Sequence, residues 1–124
     1  LDVGCGFGGL LAEIDSRHSG MSLTGINIDP RQLEICHTLR CSADNALRWQ
    51  EADACDLPFD DSSFDRVFCV EAMFHFSSRR GFLDEVARVL KPGGLFVASD
   101  IVLTQPPQTP HRCHHQQSQQ QPGT

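Results

Sequence analysis

The sequence has no apolar run approaching the ~20 residues that a membrane-spanning helix needs, and it opens on no signal-peptide pattern. It is short of positive charge: 10 Lys and Arg face 16 Asp and Glu, a net charge of −6. That balance leaves no basic footprint for nucleic acid or an anionic membrane surface. Cysteines occur at 5, 36, 41, 55, 69 and 113, but no Cys-x-x-Cys pair accompanies them. Neither a disulfide framework nor a zinc site is expected from such spacing; reduced thiols in a cytoplasmic protein are. Cys36-His37 with Cys41 offers metal-ligand chemistry, yet a helix carrying small buried thiols accounts for it, and no metal is expected. The chain also lacks an initiator methionine and begins inside a motif, so a fragment of a longer protein is expected.

What is present begins at residue 1. Leu1-Asp2-Val3 reads as the end of a buried parallel strand. Gly4, Gly6, Gly8 and Gly9 then supply a tight turn that lets a ligand press against bare backbone. Leu10, Leu11 and Ile14 follow with helical spacing, so the loop joins a strand to a helix N-terminus. This is the architecture of a nucleotide-type cofactor site. Gly4, Gly6 and Gly9 satisfy the dinucleotide fingerprint, which is weak evidence when it stands alone. Asp2 argues against NAD: its carboxylate would repel a pyrophosphate and favour a ligand carrying an ammonium and a sulfonium.

The first helix runs to about Arg17 and ends in His18-Ser19-Gly20, with His18 on the surface. Residues 21–29 form the second strand. Asp29-Pro30 starts a helix with Asp as N-cap and Pro at the first helical position, and that helix is expected to reach about Cys41. A third strand is expected over Trp49–Ala52, followed by Asp53-Ala54. The apolar run of Val67, Phe68, Cys69 and Val70 suits a central strand covered on both faces. Its end delivers Glu71-Ala72-Met73-Phe74-His75-Phe76 to the sheet edge where ligands bind in open α/β folds. Ser77 and Ser78 can cap a helix whose apolar stripe is Phe82, Leu83, Val86 and either Val89 or Leu90. Lys91-Pro92-Gly93-Gly94 breaks that helix and turns into a fifth strand, Leu95–Ser99. From Gln105 onward there is no Leu, Ile, Val or Phe, so 105–124 is expected to be a disordered tail beside a domain at 1–104. His111, Cys113, His114 and His115 form at most a loose chelating tract in that tail.

Asp2-Val3-Gly4-Cys5-Gly6-Phe7-Gly8-Gly9 closely resembles the first motif of class I S-adenosylmethionine-dependent methyltransferases. Three further blocks agree with that family: Asp53-Ala54 opening the run to Phe59, Phe64-Asp65 before the fourth strand, and Arg88-Val89-Leu90-Lys91-Pro92-Gly93-Gly94. NAD domains do not explain these three. The resemblance covers residues 1 to about 103. It implies an α/β fold, a Rossmann-like doubly wound sheet with helices on both faces and strand order 3-2-1-4-5. The last two strands of the family would be missing, leaving the fifth as an exposed apolar edge.

The resemblance also implies roles. Asp2, Gly4, Cys5, Gly6 and Gly8 belong to the loop that holds the methionine end of S-adenosylmethionine. Many relatives have Gly-x-Asp-x-Ser-Pro after the second strand; here Gly25-Ile26-Asn27-Ile28-Asp29-Pro30 puts Asn27 in the ribose slot. Asn can accept from one hydroxyl and donate to another without charge. Asp29 either reaches the ribose or only caps its helix. Asp53 would bond the adenine amino group and Ala54 offer its backbone amide, unless the two form a solvated turn.

Glu71-Ala-x-x-His75 resembles sterol and macrolide-type methyltransferases. His75 would serve as base for a hydroxyl acceptor, and Glu71 would stabilise cationic charge on a carbon acceptor. The alternative for His75 is packing beneath a helix. The expected acceptor is a small molecule, lipophilic ones included, methylated on O, N or C. Two other readings stand beside this one: a non-catalytic chain that binds a partner through its unfinished sheet edge, and an NAD oxidoreductase.

Overall fold

The computed structural model describes residues 1–105. Five strands and three helices alternate: β1 (Asp2–Val3), α1 (Gly9–Arg17), β2 (Ser22–Asn27), α2 (Pro30–Cys36), β3 (Ala46–Glu51), β4 (Phe64–Val70), α3 (Arg79–Val89) and β5 (Leu90–Ser99). A 3₁₀ turn, Met73–His75, lies between β4 and α3. The strands form one sheet in the order β3-β2-β1-β4-β5. All neighbours run parallel. This is the Rossmann-like order expected from the sequence. Right-handed crossovers run from β1 outward through β2 to β3, and in the opposite direction from β4 to β5. They therefore put α1 and α2 on one face and α3 on the other.

Local chemistry sets the element ends. Asp29 caps α2 by accepting from the Arg31 amide at 2.9 Å, with Pro30 at the first helical position, as its residue types predict. Ser78 caps α3 through the Gly81 amide at 2.9 Å. α2 ends at Cys36, earlier than its residue pattern suggests, because Thr38 and Leu39 bond back to Ile35 and Cys36 and tighten the chain into turns. β3 begins at Ala46, ahead of the predicted Trp49, since the Ala46 amide already bonds the Met21 carbonyl at 2.9 Å. β5 begins at Leu90 opposite Phe64, and Lys91-Pro92-Gly93-Gly94 bulges out opposite Asp65 before pairing resumes at Arg66 and Leu95. The break at this motif thus lies inside the strand.

The main core lies under α3, where Phe82, Val86 and Val89 pack on Val67, Cys69 and Val3. Each of these helix side chains contributes roughly 1.5–3 kcal/mol on burial. A smaller cluster of Cys5, Leu33 and Cys36, with Trp49 against it, sits under α2 and the glycine loop. Among the described residues no helix is long and apolar enough to cross a membrane. The predicted tail and its His111, Cys113, His114 and His115 tract lie almost wholly outside the described residues.

Candidate functional site

Parallel strands bring their carboxyl ends to one edge of the sheet, and there a cleft of about 960 Å³ opens between β1, β2 and β4. The loop after β1 forms its floor. Gly4 and Cys5 both donate to the Ile26 carbonyl, at 3.0 and 2.9 Å, which ties the loop to β2. Gly4, Gly6 and Gly8 all have positive φ, at 73°, 54° and 88°.

Their reasons for being glycine differ. A Cβ on Gly4 would stand 2.5 Å from the Ala72 Cβ, and one on Gly8 2.7 Å from Leu39 and Trp49. A Cβ on Gly6 would meet nothing within 4 Å. Gly4 and Gly8 are therefore required by packing, whereas the space beside Gly6 is open to the cleft.

The sequence-derived residues divide in two. Gly4, Gly6, Asn27, Ile28, Asp29, Asp53, Ala54, Glu71 and His75 all line the cleft. Asp2, Cys5 and Gly8 are not among its lining residues and lie buried beside or beneath the loop. Burial pushes the Cys5 thiol far up, with Cys36 adding to the effect. Burial likewise raises the Asp2 carboxyl to about 6, against a smaller downward pull from the Leu1 ammonium. Asp2 is buried, and the Leu1 ammonium is the positive charge that acts on its carboxyl.

Asn27 is locked. Its amide donates to the Gly6 carbonyl at 3.3 Å and to Gln32 Oε1 at 2.6 Å, while its Oδ1 accepts from the Asp29 amide at 3.0 Å. The Asp29 carboxylate is taken by Arg31, at 3.1 and 2.9 Å, besides its capping bond, and this pair holds its carboxyl below the usual range. Asp53 gives one oxygen to the Cys55 amide at 2.8 Å in a side-chain turn, and Ala54 beside it is buried.

Glu71 lies at the end of β4 with φ 50°, a left-handed conformation that an L-residue adopts at a cost of about 1–2 kcal/mol. Its amide donates to the Ser99 carbonyl at 2.8 Å. His75 stands on the 3₁₀ turn with its ring 4.1 Å from that of Phe74, centroid to centroid.

Sequence reasoning missed Gln32 and Ser77, which also line the cleft. Gln32 is the third helical residue after the Asp29 cap, a position whose side chain folds back over the strand end. Projecting that first turn would have found it. The lining contains the carboxylates of Asp29, Asp53 and Glu71 and no Lys or Arg. Among the described residues no group of His, Cys, Asp and Glu is arranged to hold a metal ion. Cys5, Cys36, Cys41, Cys55 and Cys69 are free thiols.

A parallel sheet of this order with a glycine loop over its carboxyl edge defines a Rossmann-like cofactor-binding domain. The methyltransferase domain family matches residues 1–98, and the chain belongs to that family. It is 41% identical over 105 residues to the O-methyltransferase resE of Aspergillus sclerotiorum, covering 83% of this chain and 39% of that protein. It is 37% identical over 106 residues to the sterol 24-C-methyltransferase erg6 of Schizosaccharomyces pombe, covering 84% of this chain and 28% of that protein. Among solved structures, the PH0226 protein from Pyrococcus horikoshii OT3 superposes with a TM-score of 0.71 at 28% identity, over 80% of this chain and 47% of that one. The chain spans less than half the length of each of these relatives.

Proposed function

We propose that this chain is the S-adenosylmethionine-binding part of a methyltransferase that acts on a small-molecule acceptor. The observation that carries the proposal is the charge of the cleft: the carboxylates of Asp53 and Glu71 line it with no Lys or Arg among the lining residues, while that of Asp29 is paired with Arg31. Such a field attracts a ligand bearing a sulfonium and an ammonium and repels the pyrophosphate of NAD. The empty space at Gly6 fits a close approach of that ligand to backbone.

In this reading Gly4 and Gly6 support the methionine end. Gln32 and Asn27 face the ribose: the Gln32 amide nitrogen is left to donate while its oxygen accepts from Asn27. Asp29 is neutralised by its Arg31 pair and serves to cap α2. Asp53 keeps one carboxylate oxygen for the exocyclic adenine amine, and Ala54 allows the ring close to backbone. Cys5 and Gly8 act from beneath, by packing.

S-adenosylmethionine supplies an already activated methyl group. The chain's own task is then to orient an acceptor and keep water away, an effect worth up to ~7–11 kcal/mol in well-aligned pairs. His75 and Glu71 occupy the acceptor side. His75 takes the proton from a hydroxyl acceptor, worth about 10²–10⁴-fold; Glu71 offsets positive charge on a carbon acceptor. Val70 and Phe76 on the same wall favour a lipophilic acceptor. Free thiols suit a reducing compartment such as the cytoplasm.

Calorimetric titration with S-adenosylhomocysteine and NAD tests the reading. Saturable binding of the former alone is expected, lost in Asp53→Ala and in Gly6→Val. Binding of NAD instead, or affinity unchanged in both variants, would overturn it.

A further inference from the structure

We propose that Arg88, in the last turn of α3, is a positioning residue for the turn that bears Asp53 and Ala54. The inference rests on the methyltransferase reading in taking that turn as the adenine side of the site. Arg88 is absent from the cleft lining, so it acts through the backbone it holds and touches no ligand.

The connection between β3 and β4, residues 52–63, contains no helix or strand. Its first residue is tied to β2, the Ala52 amide donating to the Asn27 carbonyl at 3.1 Å. Asp53 to Asp56 then form a tight turn. The Asp56 amide donates to the Asp53 carbonyl at 3.1 Å, and the Cys55 amide to Asp53 Oδ1 at 2.8 Å. These bonds shape the turn without fixing it against its surroundings. The Cys55 thiol reaches outward to the Ser78 carbonyl at 3.3 Å, and Ala54 brings a single methyl group to the core.

The residue after the turn is where the end of α3 takes hold. Leu57 is gripped at both polar groups of its backbone: its amide donates to Glu85 Oε2 at 2.7 Å, and its carbonyl accepts from Arg88 Nη2 at 2.9 Å. Arg88 Nη1 donates to the Phe59 carbonyl at 2.6 Å and to Asp61 Oδ1 at 3.0 Å. Its Nε and Nη2 complete a forked pair with Glu85, at 3.0 and 2.9 Å. All five N–H donors of one guanidinium are thereby used, on two backbone carbonyls and two carboxylates. The Arg88 and Glu85 side chains are only 30% and 18% exposed, so water competes weakly for these bonds. The Arg88 and Val89 carbonyls also accept from the Ser62 and Ser63 amides, at 2.9 and 2.7 Å. One helix end therefore fixes the whole downstream side of the turn, while β2 fixes the upstream side.

The test compares the full chain with Arg88→Lys, Arg88→Ala and Val86→Ala. Arg88→Lys keeps the charge and loses the planar fork. Val86→Ala weakens the same helix through its buried face and leaves every donor in place. Calorimetry gives each chain's affinity for S-adenosylhomocysteine and for S-inosylhomocysteine, whose ring carries a carbonyl, repelled by Asp53, in place of the exocyclic amine. The wild-type chain is expected to prefer S-adenosylhomocysteine by about tenfold or more. In both Arg88 variants the preference falls to within about threefold, and in Val86→Ala it stays at the wild-type value. The backbone amide resonance of Cys55, which reports its bond to Asp53, is expected to move in the Arg88 variants and not in Val86→Ala.

An unchanged preference in both Arg88 variants overturns the proposal, and so does an equal fall in Val86→Ala, which would make the effect one of general stability. If Arg88→Ala does not unfold cooperatively, Arg88→Lys decides by the same ratio. A wild-type chain that binds neither ligand refutes the methyltransferase reading, and one that binds both equally refutes the role of Asp53 at the adenine. In either case the Cys55 resonance still decides the role of Arg88: displaced in Arg88→Lys it supports the positioning, and unmoved it overturns it.

Discussion

The Asn27 side-chain amide donates to the Gly6 carbonyl at 3.3 Å, across the gap between the end of β2 and the glycine loop. The Cys36 thiol donates to the same oxygen at 3.3 Å, so a single inward-facing carbonyl is held from β2 and from α2. Asn27 and Cys36 therefore set the loop that forms the floor of the cleft.

Asn27→Ala should leave that carbonyl with the thiol as its remaining side-chain donor and free the Gln32 amide. A loss of about 1–2 kcal/mol in denaturant unfolding is expected, together with weaker S-adenosylhomocysteine binding. Full retention of both would mean that the loop holds its shape unaided.

Gly4 and Gly6 should respond differently to the same added methyl group. Gly4→Ala meets the Ala72 Cβ at 2.5 Å as well as the strain of a left-handed alanine. It is expected to cost roughly 2–5 kcal/mol, overpacking and conformation together. Gly6→Ala meets no protein atom within 4 Å. It should cost only the conformational part, about 1–2 kcal/mol, yet abolish cofactor binding. Paired unfolding and titration experiments read both quantities; equal stability losses would contradict the assignment of the two glycines.

Asp2 makes stability depend on pH in an unusual direction for a carboxylate. Burial raises its folded value to about 6 from 3.8, so the folded chain binds this proton more tightly than the unfolded chain does. The group's favourable contribution is complete below pH ~4, declines as pH rises to ~6 and is absent above that, a change on the order of 2–3 kcal/mol. Asp2→Asn should flatten that segment of the stability profile and stabilise the fold at neutral pH. The same substitution removes the charge beneath the loop, so S-adenosylhomocysteine affinity should fall. An identical pH profile in the variant would show that Asp2 does not carry the effect.

Trp49 depends on a bare backbone opposite it. A Cβ on Gly25 would stand 2.4 Å from the indole Cζ3. Gly25→Ala is therefore expected to push the ring toward solvent, costing about 1–3 kcal/mol. Trp49 is the only tryptophan in the chain, so its emission should shift to the red. An unshifted spectrum with unchanged stability would refute this packing.

Much of the site was legible because its chemistry is local. The Asp29-Pro30 cap, the glycine loop and the helix start at Ser78 follow from residue types a few positions apart, and each forms as those types require. Glu71 and His75 were placed at the cleft by one long-range fact, that a buried apolar strand delivers its next residues to the sheet edge. The early end of α2 was hidden because the residues up to Cys41 keep a helical pattern while their backbone bonds turn back on themselves. Gln32 lies at the third helical position after the Asp29 cap, which local geometry alone places over the strand end.

The sequence by itself determined the class of fold, the strand order through its family motifs, and the run of carboxylates that makes the cleft acidic. These rest on hydrophobic pattern, turn chemistry and charge, all carried by neighbouring residues. Only the tertiary structure decided which glycines are closed in by packing and which stands open to the cleft, and that Asp2 and Cys5 are buried. It alone brought Asp100, just past the end of β5, to Arg79 at the start of α3. Such distinctions depend on which atoms from distant segments fill the space beside each residue, and no local pattern records that.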